Sequence, residues 1–321
     1  MTESLPEALA AYAAQPLPYL LLADREDGTV VRCGEVVAKA HAGDADPDGL
    51  AARMRIAGHR ALAGVLLPPL RTGPEYLRGR PVSLWPYGAP VDPERPEDAP
   101  WEATARLLAA LHRTPPSALP GPVPPMRGPA KVARALHRLT RAEPLIPGPG
   151  GEPATEGVRA GVRAVRAAAR TLPAWARGEA EPPAEGTLCH GDLHLGQLVR
   201  YPAPQGPWLL IDVDDLGIGT PAWDLGRPAA WYAAGLLDTA TWLRFLDAYR
   251  AAGGPAAGPP GADPWPELDL AARALTVQTA ALALAKATEG NRRLDEGERL
   301  MVDACARMAS LPPDLDSQAP S

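Results

Sequence analysis

The chain has 321 residues, a hydrophobic fraction of 46% and a formal net charge of -6 at pH 7. This length suits one large domain or two lobes, and the apolar content is sufficient for a core. The acidic balance argues against a nucleic-acid partner, which requires a basic surface, and is compatible with a cationic or neutral small molecule.

Cysteine usage and the N-terminal segment bear on location. Cys33, Cys189 and Cys305 are too far apart to predict a metal-binding pair or a disulfide framework, so a reducing, cytoplasmic environment is expected. The first residues carry acids early and have no basic region, so a signal peptide is not predicted. No uninterrupted apolar run is long enough to span a bilayer, and no membrane partner is expected.

The first part of the chain predicts a small β-rich unit behind a short helix. A glycine after acids at Asp24 to Gly28 is typical of a hairpin turn, and Val36 to Lys39 is an apolar strand that ends in a lysine. The predicted elements in chain order are a helix at 4–14, strands between 17 and 40, a helix at 50–62, and strands near 64–70 and 81–84.

Helical periodicity dominates the remainder. Pro86, Gly88 and Pro90 interrupt regular structure, and we place the boundary there between an N-terminal lobe of residues 1–87 and a C-terminal lobe of residues 88–311. Helices are predicted at 101–112, 131–141, 156–170, 222–252, 266–289 and 294–311, followed by a disordered tail at 312–321.

A polar cluster lies between two short apolar segments in the middle of the C-terminal part. It reads HGDLHLGQ at 190–197, and a further acid, Asp212, ends the second apolar segment. Phosphoryl transfer from ATP requires one carboxylate for the acceptor hydroxyl, a carboxylate and an amide oxygen for magnesium, and a lysine for the phosphates. Asp192, Gln197, Asp212 and Lys39 offer these groups.

HGDLHLGQ followed by IDVDDLGIGTPAWDL resembles the aminoglycoside phosphotransferase and choline kinase-like family of small-molecule kinases. The resemblance implies an α+β, bilobal protein-kinase-like fold with a small β-rich N-terminal lobe and a larger, mainly helical C-terminal lobe. It also implies ATP and Mg2+ as cofactors. By position, Asp192 resembles the catalytic base, Gln197 and Asp212 resemble the metal ligands, and Lys39 resembles the lysine that binds the phosphates.

The same resemblance extends to three further segments. The backbone around Trp85, Pro86 and Tyr87 is similar to the hinge that meets adenine, and Asp24 to Gly28 is similar to the loop over the phosphates. Asp224 matches an aspartate that is mainly structural in the family. Gln197 stands where asparagine is usual, a form that also resembles the maltokinase-like and glucosamine kinase-like branch.

The predicted helix after Lys39 departs from the family pattern. A glutamate on this helix is expected to pair with the lysine, but no glutamate occurs between Leu50 and Leu62. Two alternatives follow: Asp46 or Asp48 takes its place, or Lys39 pairs only with the nucleotide.

Other polar residues of the motif have structural interpretations. For His190 and His194, hydrogen bonds that hold the loop are a commoner role than metal ligation. Asp214 shares the face of Asp212 in an extended segment and is a candidate for the metal site, whereas Asp215 is predicted to be solvated.

Two other functions compete with a small-molecule kinase. A binuclear metallophosphoesterase shares the D-x-H start but needs further histidines, and none follows His194. A nucleotide-binding pseudokinase without transfer activity agrees with the missing helix glutamate, but it has no need of Asp192.

The predicted function is therefore ATP-dependent phosphorylation of a hydroxyl on a sugar, an amino sugar or an aminoglycoside-type antibiotic. The acidic chain slightly favours a cationic antibiotic, and Gln197 slightly favours a sugar or amino sugar. Trp223, Trp231 and Tyr232 either line a substrate pocket or, as their spacing favours, belong to the core.

Overall fold

A five-stranded antiparallel sheet forms the N-terminal part of the protein. The computed structural model describes residues 4–13, 18–25, 28–146, 153–183 and 186–310. The strands are β1 (Leu20–Arg25), β2 (Gly28–Cys33), β3 (Val36–His41), β4 (Glu75–Leu77) and β5 (Arg80–Pro86). Their order is β1-β2-β3-β5-β4, so β3 and its Lys39 occupy the centre. The predicted tail at 312–321 and the middle of the predicted 24–28 turn lie outside the described residues.

Two helices accompany this sheet. In α1 (Leu5–Tyr12), Ser4 and Glu7 cap each other's backbone N–H groups, and Leu9 is buried against Val31 of the sheet. Helix α2 (Pro47–Ala57) begins after the side-chain cap Asp46.

Helix α2 ends earlier than the predicted 50–62 helix, because Gly58 follows it and His59 is extended. A separate 3-10 turn occupies Arg60–Leu62. The predicted strand near 64–70 is wrong: Leu66 makes only an isolated bridge to Leu210, and the two prolines that follow Leu67 have no N–H to donate.

Seven helices of eight residues or more build the described C-terminal part, and α8 is its centre. They are α3 (Trp101–Arg113), α4 (Gly128–Ala142), α5 (Pro153–Arg170), α6 (Ala222–Ala234), α7 (Thr239–Ala251), α8 (Trp265–Glu289) and α9 (Glu296–Ser310). Helix α8 packs against α4, α5, α6 and α9. By length and composition it is apolar enough to cross a membrane, but 72% of its apolar window is buried inside the fold. This burial is that of a core helix.

The predicted helix at 222–252 is two helices. Gly235 is left-handed, with φ +83°, and ends α6. Asp238 then accepts the Thr241 N–H at 2.9 Å and caps α7.

Two small sheets hold the loops of the polar motif. Strand β7 (Thr187–Cys189) pairs with β10 (Gly217–Gly219). Strand β8 (Leu198–Arg200) lies between β6 (Ala89–Pro90) and β9 (Trp208–Leu210). Residues 190–197 therefore connect β7 to β8, residues 211–216 connect β9 to β10, and both loops start and end on buried strands.

Candidate active site

Lys39 connects the N-terminal sheet to the 211–216 loop. Its Nζ lies 2.7 Å from Asp212 Oδ1 and 3.0 Å from Asp214 Oδ2, and its side chain is 15% exposed. Burial would lower the pKa of Lys39, but the two carboxylates outweigh burial and raise it. Lys39 is therefore a fixed positive charge, not the surface lysine that strand position alone favours.

The predicted metal ligands lie together beside Lys39. Gln197 Nε2 lies 3.4 Å from Asp212 Oδ2, and Asp214 reaches His41 Nδ1 at 3.0 Å. Burial would raise the pKa of Asp212, but Lys39 holds it below its usual value. Asp212 has a φ of +63°, an uncommon conformation for a non-glycine residue that is found at functional sites.

This group fits a divalent cation. Asp212 and Asp214 carry two negative charges against the single charge of Lys39. Carboxylate and amide oxygens are the ligands that magnesium prefers, and the excess negative charge suits a hard cation. Gln197 would offer its amide oxygen once the amide is turned, since the two amide atoms exchange by rotation.

Neither alternative for the missing helix glutamate agrees with the structure. Asp46 caps α2, Asp48 is exposed, and the partners of Lys39 are Asp212 and Asp214. The buried charged residue of α2 is Arg53, which is 4% exposed. Its guanidinium donates to the Leu216 carbonyl at 2.8 Å and to the Pro125 carbonyl at 3.0 Å. An arginine thus ties α2 to the segment beyond the aspartates.

Asp192, the predicted base, lies between two cations. Lys131 of α4 contacts its Oδ2, and Arg227 Nη2 of α6 lies 2.9 Å from its Oδ1. Burial alone would raise the pKa of this carboxyl, but Lys131 and then Arg227 outweigh burial and lower it. Arg227 Nε also donates to the Leu193 carbonyl at 2.9 Å, which fixes the guanidinium against the loop.

Asp215 is a correction to the sequence prediction. It is 5% exposed rather than solvated, and its Oδ2 lies 2.7 Å from Lys131 Nζ. Arg134 approaches its other oxygen at 4.0 Å. Lys131 therefore bridges Asp192 and Asp215, because the N-terminal end of α4 packs over the 211–216 loop.

Asp224 holds the 190–197 loop in place. It is fully buried and accepts the backbone N–H groups of His190 at 2.6 Å and Gly191 at 2.8 Å. His112 Nε2 lies 3.0 Å from the same carboxylate, and His112 Nδ1 lies 2.7 Å from the Tyr249 hydroxyl. This geometry agrees with a structural aspartate.

The histidines of the loop serve its shape, as predicted. His190 Nε2 lies 2.8 Å from the Ile211 carbonyl oxygen, and His194 Nδ1 accepts the Gly196 N–H at 3.0 Å. Burial, aided by Arg227, lowers the pKa of His194 to about 4, so this ring is neutral at neutral pH. His112, Cys189 and Asp224 are close enough to hold a metal, but His112 and Asp224 already hydrogen-bond each other within the core.

The predicted hinge residues lie where β5 leaves the sheet. The Trp85 side chain is buried and donates to Ser83 Oγ at 2.8 Å. The Tyr87 N–H donates to the Glu35 carbonyl at 2.8 Å, and the Arg32 guanidinium lies over the Tyr87 ring. Because this N–H already has a partner, an adenine contact by Trp85 and Tyr87 stays a prediction.

Of the three aromatic residues named from sequence, Trp223 is in the core, and Trp231 and Tyr232 are partly buried and pack against it. Trp223 is 3% exposed and packs near Trp175. Trp231 meets Trp101 edge to face, and Tyr232 stacks on Trp242.

Comparison with known proteins gives a family match for most of the chain. Residues 19–265 match the model of the phosphotransferase enzyme family. No curated protein matches the chain.

Several solved structures have the same fold. A choline/ethanolamine kinase family protein from Mesorhizobium loti is 16% identical, with a TM-score of 0.53 over 95% of this chain and 93% of that one. Choline kinase LicA from Streptococcus pneumoniae is 13% identical, with a TM-score of 0.53 over 93% and 95%. A spectinomycin phosphotransferase solved with ADP and spectinomycin is 13% identical, with a TM-score of 0.55 over 96% and 94%.

Proposed function

The chain belongs to the phosphotransferase enzyme family, and we propose that this small-molecule kinase transfers the γ-phosphoryl group of ATP to a hydroxyl group of its substrate. The observation that carries the proposal is the arrangement of Lys39, Asp212 and Gln197 beside a loop that presents Asp192. These are the groups that phosphoryl transfer requires.

The N-terminal lobe, residues 1–87, and the 211–216 loop would bind the nucleotide. Asp212 and Gln197 would hold Mg2+, with Asp214 as a further candidate, and the ion would neutralise charge on the phosphates. Lys39 is held in its charged form by the two carboxylates and would bind the phosphate oxygens. Neighbours of the same fold solved with ADP or AMP-PNP support a nucleotide as co-substrate.

Asp192 would accept the hydrogen bond of the acceptor hydroxyl and orient its oxygen. A bond forms between that oxygen and the γ-phosphorus, the bond to the β,γ-bridging oxygen breaks, and the hydroxyl proton passes to Asp192. Because Lys131 and Arg227 lower the pKa of Asp192, it is a weak base, which suits a loose transition state where the proton leaves late. Positioning and charge therefore supply most of the rate enhancement.

The acceptor we propose is a sugar, an amino sugar or an aminoglycoside-type antibiotic, and the proposed location is cytoplasmic. A spectinomycin phosphotransferase and a choline kinase among the neighbours show that the fold takes small molecules of different kinds. The second candidate is a pseudokinase. One observation favours it: α2 offers no acid to Lys39, and the buried charged residue of this helix is Arg53.

ADP release from the full chain with ATP and magnesium, over a broad panel of hydroxyl compounds, tests the proposal. We expect release that depends on an acceptor and that Asp192→Asn abolishes. Asp303→Asn, the same change at an exposed site on α9, is the matched control and should keep wild-type activity. Nucleotide binding without transfer to any compound would favour the pseudokinase.

A further inference from the structure

Asp192 and Asp215, the two carboxylates on the proposed acceptor side of the site, are already paired with cations of the protein. Lys131 contacts Asp192 and lies 2.7 Å from Asp215, while Arg227 lies 2.9 Å from Asp192. The Lys131 and Arg227 side chains are only 24% and 14% exposed. An ammonium group on a substrate binds best to a carboxylate that has no other cation. Here it would have to displace a largely buried lysine or arginine.

The net charge around Asp192 and Asp215 also differs from the net charge on the metal side, around Asp212 and Asp214. Within 4.0 Å of Asp192 or Asp215, the described cationic partners are Lys131, Arg227 and Arg134, which gives three positive charges against two negative ones. His194 adds no charge at neutral pH, because burial lowers its pKa to about 4. The metal side has the opposite excess, with two carboxylates against Lys39.

The start of α4 adds positive potential on the Asp192 side. Arg127, at the N-terminal cap of α4, makes no side-chain capping bond, and the first turn of this 15-residue helix holds no acid. Helix N-termini carry a partial positive charge. The Trp223 Nε1 donor packs against Gly128 there and has no hydrogen-bond partner among the described residues. These donors add to the positive potential of the three cations.

From these observations we infer that the acceptor carries no cationic group near its reactive hydroxyl: it is a neutral sugar or polyol, or an anionic hydroxy acid. The inference rests on the proposed function and narrows its substrate class to exclude aminoglycosides and amino sugars. The physical reason is that an ammonium ion would lose its hydration next to an excess of positive charge, whereas a neutral or anionic group would not be repelled.

Sets of related acceptors that differ in charge test the inference. For glucose, glucosamine, N-acetylglucosamine and glucuronate, and likewise for glycerol, 3-amino-1,2-propanediol and glycerate, kcat/KM would be measured by ADP release. If the panel identifies another scaffold, its amine, N-acetyl, hydroxyl and carboxylate forms are compared in the same way.

We expect the amine to be the poorest of its set by about tenfold, which corresponds to about 1.4 kcal/mol. N-acetylation, which removes the charge but adds bulk, should recover activity, and size cannot explain such a recovery. An amine that is the best acceptor of its set would overturn the inference and leave the proposed function standing. No transfer to any compound would refute the proposed function, and the inference with it.

A charge-removing variant tests the cause of the discrimination. Arg134 is half-exposed and does not contact Asp192, so Arg134→Met should fold, and it should reduce the preference for neutral over amine acceptors. Arg163→Met removes an equal charge from an exposed pair with Glu156 on α5, and it should change neither the preference nor basal activity. An unchanged preference in Arg134→Met would overturn the electrostatic cause.

Discussion

Lys39 Nζ lies 2.7 Å from Asp212 Oδ1, although 173 residues separate the two in sequence. The same ammonium lies 3.0 Å from Asp214. Burial alone would raise the pKa of both carboxyls, but Lys39 outweighs burial and lowers them, with help from His41 at Asp214. Because these folded-state values lie below the ordinary 3.8, the resulting stabilisation is fully present above that pH and is lost as the pH falls below it.

Lys39→Met should therefore move acid unfolding to higher pH. Without the ammonium, the two carboxylates, which are 35% and 28% exposed, repel each other and one pKa rises. Because solvent screens a partly exposed pair, we expect a loss of about 1–2 kcal/mol of stability at neutral pH. Circular dichroism during acid titration gives the midpoint. Arg71→Met, which breaks an exposed pair with Glu75, is the control and should shift it little. Equal midpoints for Lys39→Met and wild type would contradict the role.

Asp192→Asn should abolish transfer and leave ATP binding nearly intact, because in the proposed mechanism Asp192 contacts the acceptor hydroxyl and not the nucleotide. The amide keeps the shape but removes the negative charge that Lys131 and Arg227 surround. Turnover and calorimetric ATP affinity are measured on the same preparation. Near wild-type turnover on the true acceptor would show that another group orients the hydroxyl.

Asp212→Ala should lose the magnesium-dependent part of nucleotide affinity, and Gln197→Ala should weaken it less. A carboxylate holds a divalent cation more strongly than a neutral amide does. Calorimetric titration with ATP, with and without magnesium, separates the two contributions. If wild type and Asp212→Ala depended on magnesium equally, Asp212 would not be a ligand.

Gln197→Asn introduces the commoner family residue but shortens the side chain by one methylene. Gln197 is 7% exposed and lies 3.4 Å from Asp212, in a loop held at both ends by buried strands. Magnesium ligation tolerates little displacement, so we expect turnover to fall by about tenfold, or about 1.4 kcal/mol of barrier. The melting temperature should not change. Unchanged or improved turnover at saturating magnesium would show that Gln197 is not a direct ligand.

Asp224→Ala should destabilise the protein by about 3 kcal/mol or more, because two backbone N–H groups of the 190–197 loop lose a buried, charged acceptor. Since this loop carries Asp192, turnover should also fall. Tyr249→Phe removes the hydrogen bonds that the hydroxyl makes with His112 Nδ1 and with the Ala256 N–H, both outside the 190–197 loop, and it should cost about 1–2 kcal/mol with turnover retained. Thermal melts and steady-state kinetics on both variants decide. An equal loss of turnover in the two would contradict this division.

Local sequence signals predicted most of the framework. Lys39, Asp192, Gln197 and Asp212 stand in short motifs next to strands, and the structure brings Lys39, Gln197 and Asp212 together. The break between α6 and α7 was also readable, since Gly235 is a typical helix end and Asp238 a typical cap. Helical periodicity alone predicted a single helix over 222–252.

The partners of Asp192 were not predictable in the same way. Lys131 lies 61 residues from Asp192, in a helix whose basic composition is typical of a solvated face, and only the packing of α4 buries it. Asp215 was predicted to be solvated because it does not share the face of Asp212 in an extended segment. Arg227 had a usable signal, since it follows Asp224 by three positions on α6 and so shares a helical face with it.

The hydrogen bonds of Arg53 restrain the position of α2. Displacing this helix would break the hydrogen bonds from Arg53 to the Leu216 and Pro125 carbonyls. It would leave the guanidinium of a residue that is only 4% exposed without acceptors. Lys39 would meanwhile keep Asp212 and Asp214, which do not belong to α2. In this enzyme an outward swing of the helix is thus both opposed and without effect on the lysine's ion pairs. A ligand that displaced α2 would therefore break the hydrogen bonds of Arg53 and leave the ion pairs of Lys39 in place.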